Sequence, residues 1–233
     1  MSYETPEPLI VKGKEVHSFE VNLCERCGGV MPPYRRLIHC SRCVGRDPID
    51  GSEIDSVRHW TLFILDAPNG DEAMCNAEVR KVAEADVEMV NEYADHLHWI
   101  VKGEQLPIKD TVVIPIPPQE SGFTLSGIER LANTMASSLS LPYVEGLEFV
   151  RAVPDYRNLS AEDRKRTIAG ALKARQRFDG QNVFLVDDVM ISGYTMKEAA
   201  RALRCVGANR VYGFVCGRGV TFSELAEHLT RID

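Results

Sequence analysis

The chain contains no run of about 18 consecutive apolar residues, so it offers no membrane-spanning helix. Its opening residues, Met1 to Val16, carry acids early and lack an apolar core, which is not the pattern of a secretory signal. Positive charge is in deficit: 27 Lys and Arg against 34 Asp and Glu leave a net charge of −7, which argues against a surface that grips duplex DNA all over. With 17 Gly and 12 Pro the chain is too poor in both to be collagen-like, and it has no repeat or low-complexity tract. What is present is ordinary for a globular protein: 44% hydrophobic and 26% charged residues in 233, enough for one full domain and a small module.

Seven cysteines are an odd number, and their spacing is not that of a secreted disulfide scaffold. Cys75, Cys205 and Cys216 lie scattered in apolar or helical contexts and read as buried free thiols, which implies a reducing, cytoplasmic compartment. The other four cluster as Cys24-x2-Cys27, twelve residues, Cys40-x2-Cys43. That is zinc-ribbon spacing: each C-x-x-C turn offers two thiolates from one knuckle, and four close a tetrahedral, structural Zn²⁺ site. His17 and His39 are competing ligands in principle, and redox thiols are the other reading. The segment 21–46 also holds Arg26, Arg35, Arg36, Arg42 and Arg46 against one acid. This makes it a basic patch in an acidic chain, with single-stranded nucleic acid as a candidate partner, although Tyr34 alone supplies an aromatic for stacking.

Past a polar linker at Arg46–Asp55 the texture changes to alternating strand and helix signals. Strands are expected at Trp60–Leu65, Val112–Ile116, Tyr143–Val150, Val183–Val186 and Val211–Val215. Helices are expected at Ala73–Val101, Ser126–Leu139, Ala161–Arg175 with Ser160 as N-cap, a segment from Met196 ended by Gly207, and Thr221–Leu229. The pattern predicts an α/β domain over residues 55–233 with a mainly parallel sheet, preceded by the lead-in and zinc module over 1–50.

The most informative segment runs from Val183 to Thr195: a buried strand, Asp187 and Asp188 at its carboxyl end, then Ile191-Ser192-Gly193-Tyr194-Thr195 entering a helix. Open α/β sheets bind ligands at the carboxyl ends of their strands. A glycine-containing loop before a helix N-terminus offers backbone N–H groups to a phosphate, and Gly193 permits a close approach. Two acids beside a phosphate cradle would repel it unless they serve a ribose diol or a Mg²⁺ shared with the substrate.

This segment resembles the 5-phosphoribosyl 1-pyrophosphate (PRPP) motif of the type I phosphoribosyltransferases. The resemblance implies that fold, with Asp187 and Asp188 at the ribose hydroxyls and Ile191 to Thr195 around the 5′-phosphate. Ile191 stands where some relatives carry an acid or Thr, so no catalytic base comes from that position. With the four-Cys module the chain resembles the ComF (competence-protein-F) family more narrowly. Val113-Ile-Pro-Ile-Pro-Pro118, Gly122-Phe123 and Leu131-Ala132 resemble its Pro-x-Pro…Gly-Phe…Leu-Ala stretch, and Asn158-Leu-Ser…Arg164 its Leu-Ser-x-x-Glu-Arg segment. The resemblance implies a pyrophosphate loop at Pro117, Gly122 and Phe123. It departs at Gln119-Glu120-Ser121, where arginines are usual, at Thr124 in place of Asn, and at Tyr156 and Thr167.

Cations for a departing pyrophosphate are sought among Arg151, Arg157, Arg164, Lys165 and Arg166, with Arg164 favoured because it matches a family position; the alternative is a solvated helix face balanced by Glu162 and Asp163. By the same resemblance Cys216-Gly-Arg218-Gly-Val220 follows the last strand and lines the acceptor pocket, although Arg218 reads more simply as a surface residue of a flexible turn. Three functions remain open. One is a Mg²⁺-dependent phosphoribosyltransferase using PRPP and a nucleobase-like or other nitrogen acceptor. Another is a non-catalytic PRPP or nucleotide sensor. The third is a nucleic-acid-processing accessory of the competence type. A homodimer is an expectation for any of them.

Overall fold

A computed structural model describes residues 9–11, 14–16, 54–64, 74–118, 127–154 and 161–220. The four-cysteine segment, Gly122, Phe123 and the helix expected at Thr221–Leu229 lie outside the described residues. Near the start, β1 (Leu9–Val11) and β2 (Lys14–Val16) form a two-stranded antiparallel ribbon.

The main sheet is parallel, with spatial order β3 (Ser56–Ile64), β8 (Val211–Val220), β7 (Asn182–Met190), β4 (Thr111–Pro115). A single parallel bridge from Val113 to Tyr143 adds a vestigial fifth position beyond β4. The two inner apolar runs are continuous rather than alternating because both faces of the sheet are covered. Phe184 and Val186 pack under α1 (Met74–Ala83), α2 (Val87–Gly103) and α3 (Gly127–Leu139), together with Val79, Leu97, Leu131 and Phe214. Their neighbours Val183 and Leu185 pack on the opposite face against α5 (Tyr194–Arg204) through Met196, Ala199, Ala200 and Leu203. Gly213 of β8 lets α5 sit close: a Cβ there would lie 2.7 Å from the Ile54 side chain and 3.2 Å from the Met196 sulfur.

Several expectations are corrected. The helix expected over Ala73–Val101 is two helices. Ala85 turns the chain at φ 62°, and the Asp86 carboxylate caps α2 by accepting the Met89 N–H at 2.9 Å. The apolar spacing ran across this break because both helices bury one face against the same side of the sheet. The helix expected over Ala161–Arg175 stops early as α4 (Ala161–Ile168), after which Gly170 at φ 69° turns the chain into β6 (Leu172–Ala174). β6 pairs antiparallel with β5 (Leu147–Phe149), which with the Tyr143 bridge replaces the longer strand expected at Tyr143–Val150. β3, β7 and β8 all outrun their apolar runs, since pairing within the sheet carries polar residues at the ends. Asp55, assigned to a linker, is fixed to the sheet: its carboxylate accepts the Val211 N–H at 2.7 Å and pairs with Arg204. Cys205 is exposed rather than buried, whereas Cys216 is buried as expected.

The connections define where a ligand can enter. From β4 the chain leaves through α3 on one face toward Tyr143; from β7 it leaves through α5 on the other face toward β8. Between β4 and β7 the path thus reverses, and such a switch point opens a crevice at the carboxyl ends of the strands. Among the described residues no helix is long and apolar enough to cross a membrane.

Candidate active site

Asp187 and Asp188 occupy the carboxyl end of β7, beside the crevice, and are still paired to β8 through Asp187 to Val215. Each acid is pinned to its own strand. Asp187 Oδ1 accepts the Asp188 N–H at 3.0 Å, and Asp188 Oδ1 accepts the Val189 N–H at 2.6 Å. Burial and then the neighbouring Asp188 charge push the Asp187 carboxyl well above the usual carboxylate range. Part of its surface still reaches solvent, although most of it is buried. The Asp187 carboxyl, raised in this way beside a second acid, is a group that a bound cation would stabilise in its charged form.

The chain then passes Ile191 and Ser192 to Gly193, which takes the left-handed conformation (φ 73°, ψ 3°) and begins α5 without a side-chain cap. The Gly193 carbonyl accepts the Lys197 N–H at 2.9 Å. The N–H groups of a helix's first turn have no acceptor within the helix, and they sit at the positive end of its dipole. Ile191, Ser192, Gly193, Tyr194 and Thr195 are all partly exposed and contiguous with the two acids. On the other bank of the crevice the Ile116 N–H donates to the Val186 carbonyl at 2.8 Å, which sets Pro117, itself partly exposed, alongside the acids. The structure thus brings Asp187, Asp188, Ile191–Thr195 and Pro117 to one edge.

The expected cations divide. Arg164 lies on α4, in the excursion between β5 and β6, and its side chain is outside the described residues, as is Arg157. Lys165 and Arg166 are exposed on the same helix. Arg151 instead closes the end of α4, donating to the carbonyls of Thr167 at 2.6 Å and Ala169 at 3.0 Å.

Arg218 is the clearest correction. It does not follow the last strand on a flexible turn but lies inside β8, opposite Met190, and is only 8% exposed. Its guanidinium donates to the carbonyls of Met190 and Ile191. The flanking glycines suggested a turn; the buried run that starts at Val211 instead continues as a strand to Val220. Two further titratable groups stand near the site, of which the sequence signals Cys216 but not His59. His59 of β3 is pulled down to about 4 by burial, then by the Arg218 and Arg58 charges. Cys216 is pushed well above the usual thiol range by burial and then by the Asp188 and Asp187 charges, so it is an inert thiol.

A family model described as the phosphoribosyl transferase domain matches residues 88–216, more than half of the chain. The chain belongs to this family. The match begins within α2 and closes at Cys216, so it includes both banks of the crevice. Several solved structures resemble it at low identity. A phosphoribosylpyrophosphate synthetase from Mycobacterium smegmatis is 20% identical, with a TM-score of 0.37 over 60% of this chain and 36% of that one. Glutamine PRPP amidotransferase from B. subtilis gives 23% identity and a TM-score of 0.35 over 54% and 26%. Adenine phosphoribosyl transferase from Trypanosoma brucei gives 16% and 0.40 over 64% and 59%. The chain thus spans about a third or less of the length of the first two enzymes. No curated protein matches it.

Proposed function

We propose that the chain is a PRPP-dependent phosphoribosyltransferase acting on a nucleobase-like or other nitrogen acceptor. One observation carries the reading: an acid pair and a glycine-started helix, five residues apart in the chain, stand together at the switch point of a phosphoribosyl transferase sheet. The backbone N–H groups from Ser192 to Thr195 receive the 5′-phosphate, and Asp187 and Asp188 accept hydrogen bonds from the ribose diol.

The acid pair fits Mg²⁺, a hard cation that takes oxygen ligands and keeps several from water and substrate. Among the described residues no three His, Cys, Asp or Glu side chains converge, so Asp187 and Asp188 are the protein's share of such a site. Bound there, the ion would neutralise the acids and polarise the pyrophosphate oxygens. The chain's own residues position and stabilise: the carboxylates steady positive charge building on the sugar as its C1′–O bond breaks, and Pro117, Gly122 and Phe123 form the segment facing the pyrophosphate. Arg164 is the favoured cation for the leaving group. Arg218 gives Nη1 to two backbone carbonyls, and this reading assigns it no acceptor contact.

The finer reading places the chain with the ComF type, built from a zinc module over 1–50, with Zn²⁺ on Cys24, Cys27, Cys40 and Cys43, and a transferase domain over 55–233 in the cytoplasm. Incubation with PRPP, Mg²⁺ and a panel of nitrogen bases tests the activity: pyrophosphate release with at least one base is expected. A second reading, a PRPP or nucleotide sensor, is favoured by Glu120, which would repel pyrophosphate. Ligand binding without turnover against any base would select it.

A further inference from the structure

Arg218 brings a buried charge to the root of the phosphate loop, and the loop's backbone answers it. Its Nη1 donates to the carbonyl of Met190, the last residue of β7, and to that of Ile191, the first residue of the loop. Met190 and Arg218 are register partners on adjacent strands, so the contact is held by the sheet rather than by a loose side chain. A charge drawn out of water must be compensated, and the two carbonyl dipoles supply part of that.

The geometry has a consequence for the next peptide. No described peptide bond is cis. In a trans peptide the C=O and N–H point in opposite directions. Turning the Ile191 carbonyl toward Arg218 therefore turns the Ser192 N–H away from β8. Gly193 follows in the left-handed conformation, and α5 starts at once. Successive N–H groups in such a run form a concavity that receives an anion.

We propose that Arg218 is a positioning residue for this loop: it fixes the peptide plane whose N–H, with those opening α5, receives a phosphate monoester. This rests on residues 187–195 being the ribose 5-phosphate site, and it gives Arg218 a role without ligand contact. Both bonds leave one nitrogen, Nη1, of a rigid planar group carried by β8, and a Lys ammonium on its flexible stem reaches that point less well.

Calorimetry with ribose 5-phosphate and with PRPP tests it on the full-length protein. Arg218→Gln is expected to weaken ribose 5-phosphate binding by about tenfold or more, a change of about 1.4 kcal/mol. Arg218→Lys is expected to remain at least about threefold weaker than wild type, and this comparison stands alone if Arg218→Gln does not fold. Arg58→Gln, which breaks the ion pair to Glu104 at 2.6 Å, serves as the folding control and should leave affinity unchanged. If wild type binds neither ligand, the phosphate-site reading itself fails. If wild type binds and Arg218→Gln binds equally well, or Arg218→Lys matches wild type, the positioning role alone is overturned.

Discussion

Gly193 shows how much a single backbone conformation contributes to the site. At φ 73° an L-residue carries about 1–2 kcal/mol of steric cost that glycine avoids. Among the described residues a Cβ there would meet only the Met190 side chain, nearest at 3.4 Å, so the penalty against them is conformational rather than crowding. Gly193→Val is expected to displace the loop and lower PRPP affinity by about tenfold or more, read by calorimetry; equal affinity would move the phosphate site elsewhere. Asp188→Asn separates two roles. In the proposed site the phosphate rests on neutral N–H groups, whereas the sugar's developing positive charge needs a carboxylate. Turnover should therefore fall by about tenfold or more while 5′-phosphate binding falls less. Unchanged turnover would refute the ribose assignment. His59 gives a pH signature. Held down to about 4 in the fold, it titrates at its ordinary 6.5 when unfolded. Between those values acid protonates only the unfolded chain, so the stability His59 contributes is full above about pH 6.5 and is lost toward pH 4, by up to about 3 kcal/mol. Urea midpoints at pH 7.5 and 4.5 should differ more in wild type than in His59→Gln.

Among the elements, α2 depends on its cap. Asp86→Ala removes the acceptor of the Met89 N–H and should cost about 1 kcal/mol, seen as a lower Tm with PRPP affinity unchanged. The same spot marks a limit of sequence reading. Val79 and Val82 of α1 and Val90 and Leu97 of α2 share one apolar face, so their spacing reads as one helix; only the left-handed Ala85, a residue with no special liking for that conformation, separates them. The inner strands and α5 were legible because Val183–Val186 is an unbroken apolar run and Met196, Ala199, Ala200 and Leu203 repeat at helical spacing. Strand ends were not, because ladder hydrogen bonds to a partner strand, not hydrophobicity, extend β7 to Met190 and β8 to Val220. That the two acids and the loop from Ile191 to Thr195 lie together was readable because they are neighbours in sequence. The contacts of Arg218 were not, because its partners lie 28 and 27 residues away.

For the whole molecule, the proposed closed four-thiolate site predicts about one zinc per chain in protein prepared without added metal. Metal analysis that finds none, or Cys24→Ser with unchanged zinc, would count against it. The transferase domain carries its own consequence in the Ile116 to Val186 hydrogen bond. That contact continues the β4–β7 ladder one residue past the last paired position of β4, so the two banks of the crevice hang from a fixed rung. The segment from Gln119 to Ser126 begins only after that rung. Drift in its length or charge then leaves the distance between the banks untouched, and a lineage can trade one leaving-group partner or acceptor for another without rebuilding the frame. Gln119-Glu120-Ser121 would then be fittings on a chassis that does not depend on them.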